Sequence, residues 1–96
     1  MLFANKIKQL REEQSLLQRH LAAALEMDTP MYSKIERGDR FAKRVQVIAI
    51  AKLLATDENE LLTLWLADRI IEVINGEKKI VDKTLEIVKE NLNRKK

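Results

Sequence analysis

The chain has 96 residues, with 18 Lys or Arg, 15 Asp or Glu and a formal net charge of +3. This length suits one small domain with a modest core, and the absence of cysteine excludes disulfides and thiolate-bound metals. No apolar run approaches the roughly 20 residues that a transmembrane helix needs. The N-terminal stretch MLFANKIKQLREE becomes charged too early for a signal peptide, so we expect a cytoplasmic protein without membrane contact.

Positive charge is concentrated in the N-terminal half. Residues 1–44 hold nine Lys or Arg and six Asp or Glu, whereas residues 45–96 hold nine of each kind. Five of these cations fall within eleven residues: Lys34, Arg37, Arg40, Lys43 and Arg44. A cluster of this size can neutralise phosphates, although charge alone fits a solvated face equally well.

Hydrophobic periodicity predicts an all-helical chain, because glycine and proline are scarce and β-branched runs are few. The six predicted helices cover residues 3–14, 18–25, 29–37, 43–55, 57–76 and 77–92. Asp57 is a good N-cap for the fifth helix, and Gly76 is expected to end that helix in a left-handed conformation.

The third predicted helix lies in the stretch DTPMYSKIERGDR, residues 28–40. Pro30 fits only the first turn of a helix, where its missing N–H is not needed. At about 100° per residue, one arc of the helix carries Thr29, Pro30, Ser33, Lys34 and Arg37. Tyr32 and Ile35 lie on the opposite side, so we expect them to hold the helix from behind. A short helix, a tight turn and a second helix with a polar, basic front predict a helix-turn-helix that binds double-stranded DNA.

The run LLQRHLAAALEMDTPMYSKIERG resembles the Cro and phage-repressor type of helix-turn-helix, the Xre family. The resemblance covers residues 3–66 and rests on Gln18, Leu21-Ala22, Leu25 and Ile35-Glu36-Arg37-Gly38. It implies an all-α, five-helix, lambda-repressor-like DNA-binding domain at residues 1–66. It also implies a transcriptional regulator that works as a homodimer on a near-palindromic operator.

The same resemblance implies roles for individual residues. The expected base contacts are Thr29, Pro30, Ser33 and Lys34. The expected phosphate contacts are Gln18, Arg19, Arg37, Arg40, Lys43 and Arg44. Lys34 is the foremost base reader, because an ammonium can bond O6 and N7 of guanine. Arg11 and Glu36 match a structural ion pair of the family.

Three residues depart from the family pattern. Leu17 stands where a Ser, Thr or Asn often caps the second helix. Glu26 stands where the turn usually has Gly, and a residue with a side chain is strained at positive φ. Pro30 leaves only apolar contact, for example with a thymine methyl, at a base-reading position.

Residues 67–96 form a helical extension beyond the predicted DNA-binding domain. The extended fifth helix is apolar over most of its circumference, and the sixth is amphipathic. The predicted dimer or partner surface comprises Leu66, Ile70, Val73, Ile74, Val81, Leu85, Val88 and Leu92. Either the sixth helix folds back onto the fifth, or the pair packs against another subunit, and both can hold.

Two alternatives to a dimeric regulator stay open at the level of sequence. The chain could be an antitoxin-like or restriction–modification controller protein whose C-terminal helices bind a partner protein. It could also be a structural helical protein with a vestigial motif.

The sequence offers no pattern for catalysis or cofactor binding. It has no glycine-rich phosphate loop, no nucleophile with a neighbouring base and no paired carboxylates with a pocket. His20, the single histidine, has no cysteine or acidic cluster at ligand spacing, so we expect it on the surface. We predict no enzymatic activity, no metal and no cofactor.

Overall fold

The computed structural model describes residues 1–94, which form six α-helices joined by short connections. These are α1 (Leu2–Glu13), α2 (Gln18–Ala24), α3 (Thr29–Glu36), α4 (Arg44–Leu53), α5 (Glu58–Ile74) and α6 (Val81–Arg94). There is no strand in this part of the chain, so the prediction of an all-α fold is confirmed. Lys95 and Lys96, the end of the predicted C-terminal extension, lie outside the described residues.

One hydrophobic core joins the first five helices. Its largest fully buried side chains are Ile7, Leu21, Tyr32, Ile35, Val47, Ile50, Leu54 and Leu61. Full burial of each aliphatic side chain contributes about 1.5–3 kcal/mol relative to exposure. Because α1 to α5 all contribute to this one core, it fixes the position of α3 relative to the other helices.

Four helices end with a residue in the left-handed region of the backbone. Gly38 ends α3 at φ +79, but α1, α2 and α4 are followed by Ser15, Glu26 and Ala55 at φ 56, 56 and 53. The hydrogen bonds are those of a Schellman motif; after α2, for example, Met27 N donates to Ala22 O at 3.0 Å. The positive φ expected at Glu26 is confirmed, and a residue with a side chain in this conformation costs roughly 1–2 kcal/mol.

The start of α1 is capped from α5 by a buried carboxylate. The backbone N–H groups of Leu2 and Phe3 donate to Oδ1 and Oδ2 of Asp68, each at 2.9 Å. Asp68 thereby satisfies two free amides and places negative charge at the positive end of a helix. This contact attaches the first helix to the middle of the fifth.

The connection between α5 and α6 differs from the prediction. Asn75 is extended (φ -60, ψ 129) and Gly76 has φ +91, while Glu77 N donates to Ile74 O at 3.0 Å. These values describe a type II turn, whose third residue must have positive φ, so Gly76 serves the turn and not the helix cap. Residues 77–80 form a further turn, and α6 therefore begins four residues later than predicted.

α6 lies beside the C-terminal half of α5 across an apolar groove of about 320 Å³. The groove is lined by Arg69, Ile70, Val73, Ile74, Thr84, Leu85 and Val88. Among residues 81–94 no side chain is buried, and large apolar side chains on both helices stay open, such as Val73 (80%) and Leu92 (61%). No helix in the described part of the chain is long and apolar enough to cross a membrane.

Candidate nucleic-acid interface

The orientation of α3 follows from its two buried residues. Tyr32 and Ile35 are 0% and 1% exposed, so this side of the helix faces the core as the sequence predicted. Asp28 caps the helix by accepting a hydrogen bond from Met31 N at 2.8 Å, and Pro30 lies in the first turn. The opposite side, with Thr29, Pro30, Lys34 and Arg37, is exposed, and Ser33 is half-buried.

Arg11 and Glu36 form a buried, bidentate ion pair behind the helix-turn-helix. Arg11 Nε lies 2.7 Å from Glu36 Oε2, and Nη2 lies 3.1 Å from Oε1. Arg11 also donates to Leu16 O at 2.8 Å, and Gln18 Nε2 donates to Glu36 Oε1 at 3.2 Å. The network thus connects α1, α2 and α3 and holds the two helices of the motif at a fixed angle.

The electrostatics of this network favour its charged form. Burial by itself raises the pKa of Glu36, but hydrogen bonds from Arg11 and Gln18 and the charge of Arg11 lower it below its ordinary value. The hydrogen bond to Glu36 raises the pKa of Arg11. Burial also raises the pKa of Tyr32, and the neighbouring Glu36 carboxylate raises it further, so the phenol stays protonated. The buried Tyr32 hydroxyl has no hydrogen-bond partner among residues 1–94.

The start of α2 is capped by a residue that the sequence did not single out for this role. Leu17 has no side-chain acceptor, but Nδ1 of His20 accepts a hydrogen bond from Leu17 N at 2.9 Å. Gln18 uses one amide hydrogen for Glu36, which leaves the other free for a phosphate. Arg19 is exposed beside it.

Two of the predicted contact residues are joined to each other. Arg37 Nη1 donates to Ser33 Oγ at 3.0 Å, and Arg37 Nε lies 3.1 Å from Asp39 Oδ2. Both members of the Arg37–Asp39 pair are exposed. The carboxylate therefore offsets part of the positive charge at the end of α3.

Residues 39–44, here called the basic loop, connect α3 to the first turn of α4. Arg40, Lys43 and Arg44 are exposed, and none of them forms an ion pair with the described residues. Gln46 Oε1 accepts from Lys43 N at 2.8 Å and caps α4.

The loop is also tied to α5, because Trp65 Nε1 donates to Ala42 O at 2.8 Å. The sequence analysis did not predict this bond. The feature that could have indicated it is the indole N–H of Trp65, because a buried indole N–H usually has a hydrogen-bond partner.

None of the ten predicted DNA-contact residues is buried. Four exposed cations, Lys34, Arg40, Lys43 and Arg44, follow one another in and directly after α3, without acidic partners among residues 1–94. Nor do these residues contain a group of three or more His, Cys, Asp or Glu that could hold a metal ion. The arrangement suits a polyanion that meets the outer side of α3.

A comparison with protein families agrees with this geometry. A family model described as a helix-turn-helix domain matches residues 2–64, which include α1 to α4 and the first part of α5. Comparisons with curated proteins and with solved structures gave no significant match. Because the family model matches well over half of the chain, the protein belongs to the helix-turn-helix domain family of DNA-binding proteins.

Proposed function

We propose that this protein is a sequence-specific transcriptional regulator of the Cro and phage-repressor type. In this proposal it is a cytoplasmic, non-enzymatic protein that binds double-stranded DNA as a homodimer. The observation that carries the proposal is the orientation of α3. Its apolar side is buried at Tyr32 and Ile35, and Thr29, Pro30 and Lys34 are open to solvent. A second helix of the motif that is held in this way can enter the major groove.

The proposal assigns two kinds of contact. Thr29, Pro30, Ser33 and Lys34 read base edges, and Lys34 is the strongest reader because it can bond guanine. The phosphate contacts are Gln18, Arg19, Arg37, Arg40, Lys43 and Arg44. Phosphate contacts set the position of the protein on the duplex, whereas base contacts select the sequence.

Substitution of two lysines tests this division of roles. Lys34 and Lys43 are both exposed and form no ion pair among residues 1–94, so each can be replaced by alanine with little effect on the fold. Lys34→Ala should cost roughly 1–3 kcal/mol on the preferred operator and relax specificity. Lys43→Ala should weaken all sequences alike and lower the slope of log K against log salt by about 1.

The operator is obtained first by selecting bound sequences from a random DNA pool, and affinities are then measured over a salt series. An unchanged operator preference in Lys34→Ala would remove the base-reading assignment. An absence of salt-dependent binding in the unsubstituted protein would remove the proposed function itself.

The homodimer is proposed through the α5–α6 face, defined as Leu66, Ile70, Val73, Ile74, Val81, Leu85, Val88 and Leu92. Five of these side chains are exposed and three are half-buried in the single chain. Ile70, Val73, Ile74, Leu85 and Val88 line one apolar groove, and exposed apolar surface of this kind marks an interaction site. A second copy is the natural occupant, because a twofold protein matches an operator with two half-sites.

A substitution in the groove with a matched control tests the dimer. Val88→Glu places a charge on the α5–α6 face, and Lys83→Gln makes the same change in net charge on the opposite side of α6. Sedimentation equilibrium should show a monomer for Val88→Glu and a dimer for Lys83→Gln. If Val88→Glu associates as strongly as the unsubstituted chain, this face is not the dimer interface.

A truncation supplies a second test, and the structure determines where to cut. A chain ending at Leu66 would lose Asp68 and with it the cap of α1. A chain ending at Gly76 keeps α5 and the cap and removes residues 77–96, so a loss of association can be assigned to α6 and the turn before it.

The second candidate is an antitoxin-like or controller protein whose C-terminal helices bind a different protein. The solvent exposure of Val73, Leu92 and their apolar neighbours favours this candidate as well. The state of the purified chain separates the two candidates. A dimer that Val88→Glu dissociates supports the regulator, whereas a chain that stays monomeric at its solubility limit supports a foreign partner.

A further inference from the structure

The middle of the basic loop is held by side chains of α5. Within the described residues, the backbone groups of Arg40, Phe41 and Ala42 make no hydrogen bond to other backbone groups. The carbonyl of Ala42 accepts instead from Trp65 Nε1 at 2.8 Å, and Ala42 is buried. One indole N–H therefore fixes the backbone between Arg40 and Lys43.

A second contact joins the loop to the same part of α5. The guanidinium carbon of Arg69 lies 5.1 Å from the centroid of the Trp65 ring and 5.5 Å from that of Phe41. Both distances are within the range of a cation–π interaction. Trp65 and Arg69 are four residues apart, so their side chains leave α5 on the same side. Phe41 lies at the surface of the loop, where this guanidinium connects it to the indole.

We infer that Trp65 and Arg69 are positioning residues, which hold the basic loop in the shape in which Arg40, Lys43 and Arg44 meet successive phosphates. This inference rests on the proposed function. Cations on an ordered loop lose little conformational freedom when DNA binds, whereas a free loop must be ordered at that moment. Without the two contacts, the three cations would keep their charge but lose their fixed spacing.

The geometry distinguishes this role from a direct phosphate contact by Arg69. A lysine can bind phosphate as a point charge, so Arg69→Lys would preserve a direct contact. It would weaken the contact with the two rings, because an ammonium is a compact, strongly hydrated charge, whereas the guanidinium is broad and more weakly hydrated. Trp65→Phe, in turn, keeps an aromatic ring in place but removes the N–H that bonds Ala42 O.

The experiment measures affinity for a double-stranded DNA of random sequence by fluorescence anisotropy, over a range of salt concentrations. The proteins are the full chain and its variants Trp65→Phe, Arg69→Lys and Ile7→Val. The last is the control, because Ile7 is fully buried in the core and its truncation lowers stability without removing a contact of the loop. Far-UV circular dichroism establishes that each variant is folded at the temperature of the measurement.

The expected result is a smaller salt dependence for the two loop-anchor variants. Each phosphate contact contributes about 0.9 to the slope of log affinity against log salt concentration. At low salt the wild type should therefore bind more tightly than a variant that has lost one or two contacts. This advantage should shrink by roughly 3- to 12-fold between ~50 and ~200 mM salt. A defect in stability alone lowers the active fraction and leaves the slope unchanged, as expected for Ile7→Val.

Three other results would overturn the inference, each at a different point. If wild type binds DNA and both anchor variants keep its slope, the positioning role is wrong and the proposed function stands. A wild-type slope for Arg69→Lys alone removes Arg69 from the role. If the unsubstituted chain has no salt-dependent affinity for DNA, the proposed function fails and the inference fails with it.

Discussion

The substitution Glu36→Gln tests the buried network behind the helix-turn-helix. Glu36 accepts three hydrogen bonds, two from Arg11 and one from Gln18. A glutamine of the same shape keeps one acceptor oxygen but turns an amide NH2 toward donors and leaves the Arg11 charge without a counterion. Removal of one partner of a buried pair costs about 3–5 kcal/mol. Since a small domain is stable by about 5–15 kcal/mol, this is a large part of the total.

The assay is thermal and urea unfolding followed by circular dichroism. In a domain of this size each kcal/mol shifts Tm by roughly 4–8 °C, so Glu36→Gln should lower Tm by more than about 10 °C at neutral pH. The control Glu86→Gln, at an exposed position of α6, should change stability by no more than about 0.5 kcal/mol.

The pKa of Glu36 determines how the stability of the protein should change with pH. The folded pKa of Glu36 lies below its ordinary value of 4.5, so the unfolded chain binds this proton more readily than the folded chain does. The carboxylate therefore contributes stability above pH 4.5, and the contribution is lost as pH falls through the lowered, folded pKa. In Glu36→Gln this acid-dependent part of the stability should be absent.

A double-mutant cycle with Arg11→Met completes the test. Arg11→Met should cost much less in the Glu36→Gln background than in the wild type, because the pair is already broken. Additive effects, or a loss of less than about 1 kcal/mol for Glu36→Gln, would refute the role of this pair in holding α3.

Three further predictions concern helix ends and the basic surface. Ala55→Gly should stabilise the protein by about 1 kcal/mol in urea unfolding, because Ala55 is exposed at φ 53 and glycine adopts that conformation without strain; a loss of stability would contradict this. Asp68→Ala should destabilise by roughly 2–4 kcal/mol in the same assay, since two amides at the start of α1 lose their acceptor, and an effect under about 0.5 kcal/mol would mean that water replaces the cap. Asp39→Asn should strengthen DNA binding by up to roughly fivefold at low salt, because Arg37 loses a competing carboxylate; unchanged affinity at low salt would place Arg37 outside the interface.

The sequence predicted those features that depend on neighbours along the chain. The six helices and the inward side of α3 at Tyr32 and Ile35 follow from local spacing, and the structure contains each of them. The positive φ of Glu26 was expected from the family resemblance, because Glu26 stands where the turn usually has Gly.

Contacts between distant segments could not be predicted in this way. Asp68 caps α1 across 65 and 66 residues of sequence, and Trp65 reaches Ala42 across 23. Nothing in the spacing of α5 says which of its polar groups will face another element. The beginning of α6 was missed for a related reason, since residues 77–80 have acceptable helix formers but are used to complete a turn.

The three junctions made by α5 have a consequence for engineering. Trp65 bonds the basic loop, Asp68 caps α1, and the residues from Ile70 onward line the groove beside α6. A one-residue insertion in α5 before Trp65 would rotate these side chains about the helix axis by about 100°. All three contacts would then be lost at once. By contrast, the type II turn at residues 74–77 precedes only α6. It is therefore the junction at which another module can replace α6 while α1 to α5 keep their arrangement.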